Sequence, residues 1–212
     1  DDQAVQEAAQ QEAIRRYFRY GCEYLMGLAE KDTVQRAELI MKELGVSAED
    51  RRVVIPSREA AQEARDWGKG NKGIFCGAAI ELADGTIIKG KNSPLMHAVS
   101  SLVLNAVKHL AGIPDKLHLL SPNIIESVRL LKEDILGAKT ASMDLDETLV
   151  ALTISATTNA TAQAALEMLK ELRGCEVHMT HIPTPGDEAG LKRLGINLTT
   201  DPNLSMGSFF DA

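Results

Sequence analysis

The chain has 212 residues, 44% hydrophobic and 25% charged, which is enough to bury the core of one large or two small domains. Its formal net charge of −7 argues against nucleic acid or an anionic membrane as a partner, because both are bound through clustered lysines and arginines. Three separated cysteines, with no signal peptide and no apolar run long enough to cross a membrane, predict a cytoplasmic protein.

Residues 1–72 are predicted to form a helical subdomain. Apolar residues at helical spacing predict its helices, which cover 3–29, 33–44 and 56–67. The run RVVI at 52–55 predicts a short extended piece. Three glycines within 68–73 predict a linker, and the pattern that follows changes from helical to alternating.

Residues 73–212 are predicted to form an α/β domain that opens with a β-hairpin. Its strands cover 77–82 and 86–90, on either side of Asp84-Gly85, a dipeptide that favours a tight turn. Ser93-Pro94 then predicts a capped helix start, and that helix ends at Gly112.

The rest of this domain is predicted to alternate between helices and strands. The run at 117–120 predicts a short buried strand, and Ser121-Pro122 repeats the capped helix start. The later predicted helices cover 122–136, a segment from 146, 160–172 and 187–194, and the later strands cover 175–182 and 196–199. A tail without pattern begins at Pro202. The whole chain is thus α+β, and its second domain is a three-layer α/β unit with a mixed sheet formed by one hairpin and parallel crossovers.

Segments spread over the chain resemble the bacterial family of domain of unknown function 1846. They include EAIRRYF (12–18), AAIELADGT (78–86), HLLSP (118–122) and ISATTN (154–159). The resemblance implies the C-terminal part of a longer protein, with none of a Gly-rich, nucleotide-binding N-terminal portion present. The start without Met, in the middle of a helical pattern, also predicts a fragment.

The element order and the two Ser-Pro helix starts resemble the cytidine-deaminase-like fold. Enzymes of that fold carry H-A-E or C-A-E on the first helix and P-C-x-x-C on the next, which supply three zinc ligands and a proton-shuttling Glu. Here His97-Ala98-Val99 and Pro122-Asn123-Ile124-Ile125-Glu126 take those places. Because Val99 cannot transfer a proton and both thiolates are missing, we predict no zinc, no other cofactor and no zinc-dependent deamination.

A pocket for a small anionic or nucleotide-like ligand is predicted where the two helix starts converge on one edge of the sheet, because free backbone NH groups favour anions. Its candidate residues are Asn92, Ser93, His97, Ser121, Asn123, Thr158 and Asn159. The alternative is that the serines and Asn159 only cap helices and that His97 is solvated. His178 and His181 are expected on opposite faces of a strand, which prevents a shared metal site, and Asp144, Asp146 and Glu147 are expected to serve a helix start.

Three functions stay open from the sequence. The first is a non-catalytic region that binds an anionic ligand, alone or together with the missing N-terminal domain. The second is an assembly module for domain packing or homo-oligomerisation. The third is a zinc-independent transferase acting on a nucleotide precursor, which rests on analogy of fold alone.

Overall fold

The computed structural model describes residues 2–204, so the end of the predicted tail lies outside the described residues. Eight α-helices and four strands are described within this range. The helices are α1 (Asp2–Leu25), α2 (Lys31–Glu43), α3 (Val54–Asp66), α4 (Ala98–Leu110), α5 (Pro122–Leu130), α6 (Leu145–Ala156), α7 (Ala160–Glu167) and α8 (Pro185–Leu194). The strands are β1 (Gly77–Glu81), β2 (Ile87–Lys91), β3 (Glu176–Met179) and β4 (Asn197–Thr200).

Three short segments extend or link these helices. A 3₁₀ turn forms at Ala48–Asp50, a π-helical turn continues α5 over Leu131–Ile135, and a 3₁₀ turn continues α7 over Met168–Leu172.

The four strands form one mixed sheet in the order β2-β1-β3-β4. Strand β1 is antiparallel to both β2 and β3, and only β3 and β4 are parallel. The hairpin between β1 and β2 forms as the sequence predicts: Gly85 has a φ of 83°, and Asp84 Oδ1 accepts a hydrogen bond from Thr86 N at 2.9 Å. The predicted α+β class and mixed sheet are therefore confirmed.

Helices cover both faces of the sheet, which makes three layers. On one face, the Cβ position of Gly77 points at the α3 backbone, and His178 packs its ring 4.6 Å from that of Phe18 in α1. On the other face, the Cβ position of Gly90 points at the α4 backbone. The main core lies on this second face, where β1 and β3 pack with α4, α6 and α7.

Several sequence predictions about elements are wrong. Residues 117–120 form no strand, although Leu119 and Leu120 are buried, and the run at 52–55 enters α3 instead of extending. Helix α4 begins at Ala98 and not at Pro94, because residues 95 and 96 pair with Met143 in an extended bridge. Since β1 and β3 are antiparallel and the strand between α4 and α5 is missing, the cytidine-deaminase-like fold is not supported.

The first 72 residues pack closely on the sheet. Helix α3 lies against β1 and β2, and α1 contacts β4. The 68–73 segment is also packed, because Asn71 Nδ2 donates to Thr140 Oγ1 at 2.9 Å and Asn71 forms a bridge with Ile74. The segment is therefore packed against the rest of the chain, unlike the unpacked linker that its composition predicts.

Candidate ligand-binding cavity

The starts of α4, α6 and α8 meet at one place. His97 is the residue before α4, and its backbone NH donates to Met143 O at 2.9 Å. Leu145, the first residue of α6, donates its NH to Asp187 Oδ1 in α8 at 2.9 Å. The sequence forms these starts locally, since Asp144 and Glu147 build a reciprocal capping box on α6. The predicted role at a helix start is thereby confirmed for Asp144 and Glu147, whereas Asp146 pairs with Arg193 at 2.7 Å.

Asp187 fixes the side chain of His97. Asp187 is 2% exposed, and its Oδ2 lies 2.8 Å from His97 Nδ1. Thr184, which caps α8, donates its hydroxyl to the same Oδ2 at 2.9 Å. With Leu145 N on the other oxygen, the carboxylate has three partners, so it cannot turn without breaking them.

The surroundings of His97 favour its protonated form. Burial alone would lower the pKa of His97, but the hydrogen bond and the charge of Asp187, with help from Asp144, raise the pKa above its ordinary 6.5. Lys132 opposes this effect. Because Nδ1 faces Asp187 and Nε2 makes no hydrogen bond within residues 2–204, Nε2 is the nitrogen left for a ligand.

A cavity of about 650 Å³ lies beside this histidine, at the end of the sheet where β1 begins and where β2 and β3 finish. Most of its wall is apolar. Its lining residues are Asn71, Lys72, Ile74, Cys76, Asn92, His97, Ala98, Gly137, Ala138, Lys139, Thr140, Ser142, Met179, His181, Ile182 and Asp187.

The charges of this lining differ in sign from the whole chain. Among the described lining residues Asp187 is the one acidic side chain, and Lys72 supplies a positive charge, in a chain of net charge −7. Protonation of His97 adds a further positive charge. The cavity is therefore suited to an anion, which the rest of the protein repels.

Lys72 is held on this wall in an unusual backbone conformation. Its φ of 50° makes it the only residue other than glycine with a positive φ among the described residues. Its Nζ contacts the backbone carbonyl of Lys139 across the cavity rim. A left-handed backbone is unfavourable for a lysine, and such positions cluster at ligand-binding sites.

Two further titratable groups line the cavity in neutral form. Burial lowers the pKa of His181, whose Nδ1 lies 3.0 Å from Thr180 Oγ1. Burial also raises the pKa of the Cys76 thiol to about 12, so this cysteine is a poor nucleophile. Within the part of the chain that is described, no group of three or more His, Cys, Asp or Glu side chains is placed to hold a metal ion.

Three of the predicted site residues lie in or next to this cavity. His97 and Asn92 line it, but both ends of the Asn92 amide are used by the backbone: Oδ1 accepts from Cys76 N at 2.8 Å, and Nδ2 donates to Ile74 O at 3.0 Å. Ser93 is not among the lining residues. Its Oγ accepts from Leu95 N and Met96 N, so it stabilises a turn instead of capping α4.

The other four predicted residues lie outside the cavity. Ser121 N donates to Ser155 Oγ at 3.1 Å, and the Asn123 carbonyl accepts from Ser127 Oγ. Asn159 caps α7 through Thr161 N, and Thr158 lies exposed in the break before it. Helix α5 packs against α6, so the lining of the cavity includes no residue from the start of α5.

Sequence reasoning missed Asp187, Lys72 and His181 as members of this site. A signal for Asp187 was present, since Thr184-Pro185-Gly186-Asp187 is a capping residue, a first-turn proline and an acidic third position. Lys72 gave no signal, because its partner Lys139 is distant in the sequence. His181 was considered only as a metal ligand.

The fold and the cavity together define an α+β protein with a pocket large enough for a small molecule. The pocket is lined in part by basic side chains and lies next to the place where three helix starts meet. Residues 49–210 match the family described as "Domain of unknown function DUF1846, C-terminal", and residues 1–45 match "Domain of unknown function DUF1846, N-terminal". The chain belongs to this family. Since residues 1–45 match the N-terminal domain, the expectation that none of that domain is present is wrong.

Curated relatives of the same kind occur in clostridia. The chain is 44% identical over 211 residues to a UPF0371 protein of Clostridium botulinum (strain Langeland), and 42% identical over 210 residues to one of Clostridium tetani. Each match covers 99% of this chain but 42% of the relative. The chain therefore spans less than half the length of these relatives.

Proposed function

We propose that the chain binds a small ligand with an acidic head group and an apolar body in the cavity beside His97. The observation that carries this proposal is the lining itself: among its described residues, Lys72 and a protonated His97 outnumber the carboxylate of Asp187. Apolar side chains such as Ile74 and Met179 supply the remaining wall. The volume of about 650 Å³ lies within the usual range for small-molecule sites.

The proposal is one of binding, in a cytoplasmic bacterial protein. The three cysteines Cys22, Cys76 and Cys175 are free and buried, which agrees with a reducing compartment. Among the described residues, no helix is both long enough and apolar enough to span a bilayer. For the alternative of a zinc-independent transferase, turnover would have to depend on His97 or Asn123, and of these two residues only His97 lines the cavity.

Thermal unfolding with simple amphiphilic anions tests the proposal. Hexanoate and hexyl phosphate should raise the melting temperature as their concentration rises, whereas hexan-1-ol and acetate should do so much less. Neutral hexanol removes the charge, and acetate removes the apolar body. Equal effects of all four compounds, or none from either anion, would contradict the proposal.

A pair of tryptophan variants locates the site. Ala138→Trp places a large ring in the lining of the cavity and should abolish the stabilisation by hexanoate. Ala83→Trp places the same ring in the exposed hairpin turn and should leave the stabilisation intact. If both variants respond like the parent chain, the anion binds elsewhere.

A second candidate function, assembly, is favoured by an apolar surface on the α5 extension. The apolar spacing within the predicted 122–136 helix indicates that Leu131, Ile135 and Leu136 are buried, yet they are 47%, 74% and 67% exposed. Because the curated relatives contain a further 58% of their length beyond the matched part, we propose that this surface packs on that remaining part. Exposed apolar patches of this kind usually mark interfaces.

Co-expression tests this packing. The chain should co-purify with the remaining part of the Clostridium tetani relative, and Ile135→Lys with Leu136→Lys should abolish the complex without unfolding the chain, because both side chains are exposed. Light scattering of the chain alone is the second measurement. A dimer that dissociates on the same substitutions would assign the surface to a second copy and overturn this proposal.

A further inference from the structure

The imidazole of His97 is fixed in a way that determines which nitrogen meets a ligand. Asp187 holds Nδ1 at 2.8 Å, and the backbone of His97 is tied to Met143 O at 2.9 Å. The ring lines the cavity, and within residues 2–204 its Nε2 has no hydrogen-bond partner. A protonated ring would therefore present one N–H donor to the cavity, whereas a neutral ring with its proton on Nδ1 presents only a lone pair.

The charged groups around His97 come from every element packed against it. Asp187 belongs to α8, Asp144 precedes α6, and Lys132 in the α5 extension donates to Glu147 Oε2 at 2.6 Å and to Ser142 O at 2.7 Å. Lys72, Lys139 and His181 face the same cavity. In the free protein Asp187 and Asp144 favour the proton on His97, and Lys132 and desolvation oppose it.

An anion that enters the cavity changes this balance in one direction. A negative group near Nε2 favours the imidazolium form of His97, as Asp187 does at Nδ1. Protonation of Nε2 removes the repulsion between its lone pair and the anion and allows a charge-assisted hydrogen bond instead. We infer that anion binding in the cavity is coupled to uptake of one proton by His97, so that the ligand is held by an imidazolium placed between it and Asp187. This inference rests on the proposed function, and it adds the chemistry and the pH dependence of binding.

Calorimetry with hexanoate tests the inference, since this anion is fully ionised near neutral pH. Titrations in Hepes and in Tris, which differ in ionisation enthalpy, measure the protons exchanged on binding. Uptake should approach one proton just above the pKa of His97 in the free protein and should vanish at lower pH, where His97 is already protonated. The affinity should fall as pH rises through that window.

Two variants separate the possible sources of the proton. His97→Gln should bind hexanoate roughly tenfold more weakly near neutral pH and show no uptake, because the charge-assisted hydrogen bond is lost. His109→Gln, at the exposed end of the same helix α4, should behave like the parent chain. In NMR titrations, the His97 ring resonance should shift its midpoint upward when hexanoate is present.

Failure of the inference differs from failure of the proposed function. If hexanoate binds with no proton uptake, or if uptake survives in His97→Gln because Asp144 or His181 takes the proton, the inference is wrong and the binding site stands. If hexanoate does not bind at all, the proposed function is wrong.

Discussion

Lys72 and His97 are held in the cavity by different means. His97 is oriented through its side chain by the buried carboxylate of Asp187, at 2.8 Å. Lys72 is oriented by its backbone, whose φ of 50° is unfavourable for any residue with a Cβ. A residue kept in an unfavourable conformation at a cavity wall is expected to trade stability for function.

Replacing Lys72 by glycine should separate the effect of Lys72 on stability from its effect on ligand binding. Glycine adopts a positive φ without strain, so Lys72→Gly should keep or raise the free energy of unfolding, by up to about 1 kcal/mol. The same variant should weaken hexanoate binding several-fold, because the ammonium group is gone. Lys72→Ala keeps the strain and loses the charge, so it should weaken binding equally without any gain in stability. Urea unfolding and calorimetry measure both quantities.

This prediction would be contradicted by a Lys72→Gly variant that unfolds more easily than the parent chain. In that case the contact of Nζ with the Lys139 carbonyl would be a structural one. Unchanged hexanoate affinity in both variants would remove Lys72 from the site.

At the scale of elements, the cavity depends on how closely three helix starts approach. Gly186, in the first turn of α8, lies against the side chain of Asp144, and an added Cβ would overlap that carboxylate. Gly190, one turn later, faces Leu145 in the same way, with Cγ 2.7 Å from the ideal Cβ position. Small residues on α8 thus let Asp187 reach both Leu145 N and His97.

Gly186→Ala should therefore destabilise the chain by about 1–3 kcal/mol, because the Asp144 cap and the start of α8 must move apart. It should also loosen the contact between Asp187 and His97, and so lower the midpoint of the His97 NMR titration. Gly21→Ala is the matched control. It lies within α1, where the nearest atom, Pro202 Cγ, is 3.5 Å from the added Cβ, so it should stabilise the chain by up to about 1 kcal/mol. Equal changes in the free energy of unfolding for the two substitutions would contradict the claim that Gly186 is needed for the close approach of α8 to Asp144.

Local signals in the sequence predicted most elements but not the meeting of their ends. The helices at 31–43 and 160–167 follow from apolar spacing, the helix at 145–156 follows from its acidic start, and the hairpin follows from Asp84-Gly85. The apolar run at 117–120 was wrongly predicted to be a strand, because a buried loop can have the same apolar composition as a buried strand. Ser93-Pro94 has the chemistry of a helix start, but pairing with Met143 keeps the following residues extended.

For the candidate site, His97 and Asn92 could be found from the sequence. Asp187 had a local signal only as part of a helix start, and Lys72 had none. The contact between His97 and Asp187 spans 90 residues, and no local pattern encodes it. The predicted meeting of helix starts is incomplete: the start of α4 also meets those of α6 and α8, while Pro122 at the start of α5 lines a separate cavity with Leu95 and Met96. Which helices meet is decided by packing across the whole sheet.

At the scale of the whole molecule, a buried polar network joins the first 72 residues to the sheet. Arg58 in α3 binds both carboxylate oxygens of Asp201, at 2.7 and 3.0 Å. Arg51, 2% exposed, donates to Thr199 Oγ1 at 2.8 Å. His178 is fully buried beneath α1, with Nδ1 2.9 Å from Thr199 Oγ1 and Nε2 3.4 Å from Asp201 Oδ1, too long for a good hydrogen bond.

This network should make the chain sensitive to acid in two stages. Burial lowers the pKa of His178, despite the attraction of Asp201, so the unfolded state takes up a proton below about pH 6.5 that the folded state refuses. Burial would raise the pKa of Asp201, but His178 and Arg58 lower it to about 2, from 3.8. The contribution of Asp201 is therefore complete above pH 3.8 and is lost as the pH falls towards 2.

His97 acts in a different window. Its raised pKa stabilises the folded state fully below pH 6.5, and this contribution is lost as the pH rises through the folded-state pKa. His97 can thus be distinguished from His178 in a single series of unfolding measurements, because His178, together with His181, acts on the acid side of pH 6.5 and His97 on the alkaline side.

Urea unfolding from pH 8 down to pH 3 tests this assignment. The free energy of unfolding should fall as the pH decreases below 6.5, and His178→Gln should reduce that slope, whereas the exposed His109→Gln should not. Asp201→Asn should cost about 2 kcal/mol at pH 7 and roughly half of that at pH 3, where part of the Asp201 contribution is already lost. A parent chain with no slope between pH 6.5 and 5, or an Asp201→Asn deficit that persists unchanged at pH 3, would show that this network does not couple α1 and α3 to the sheet through charge.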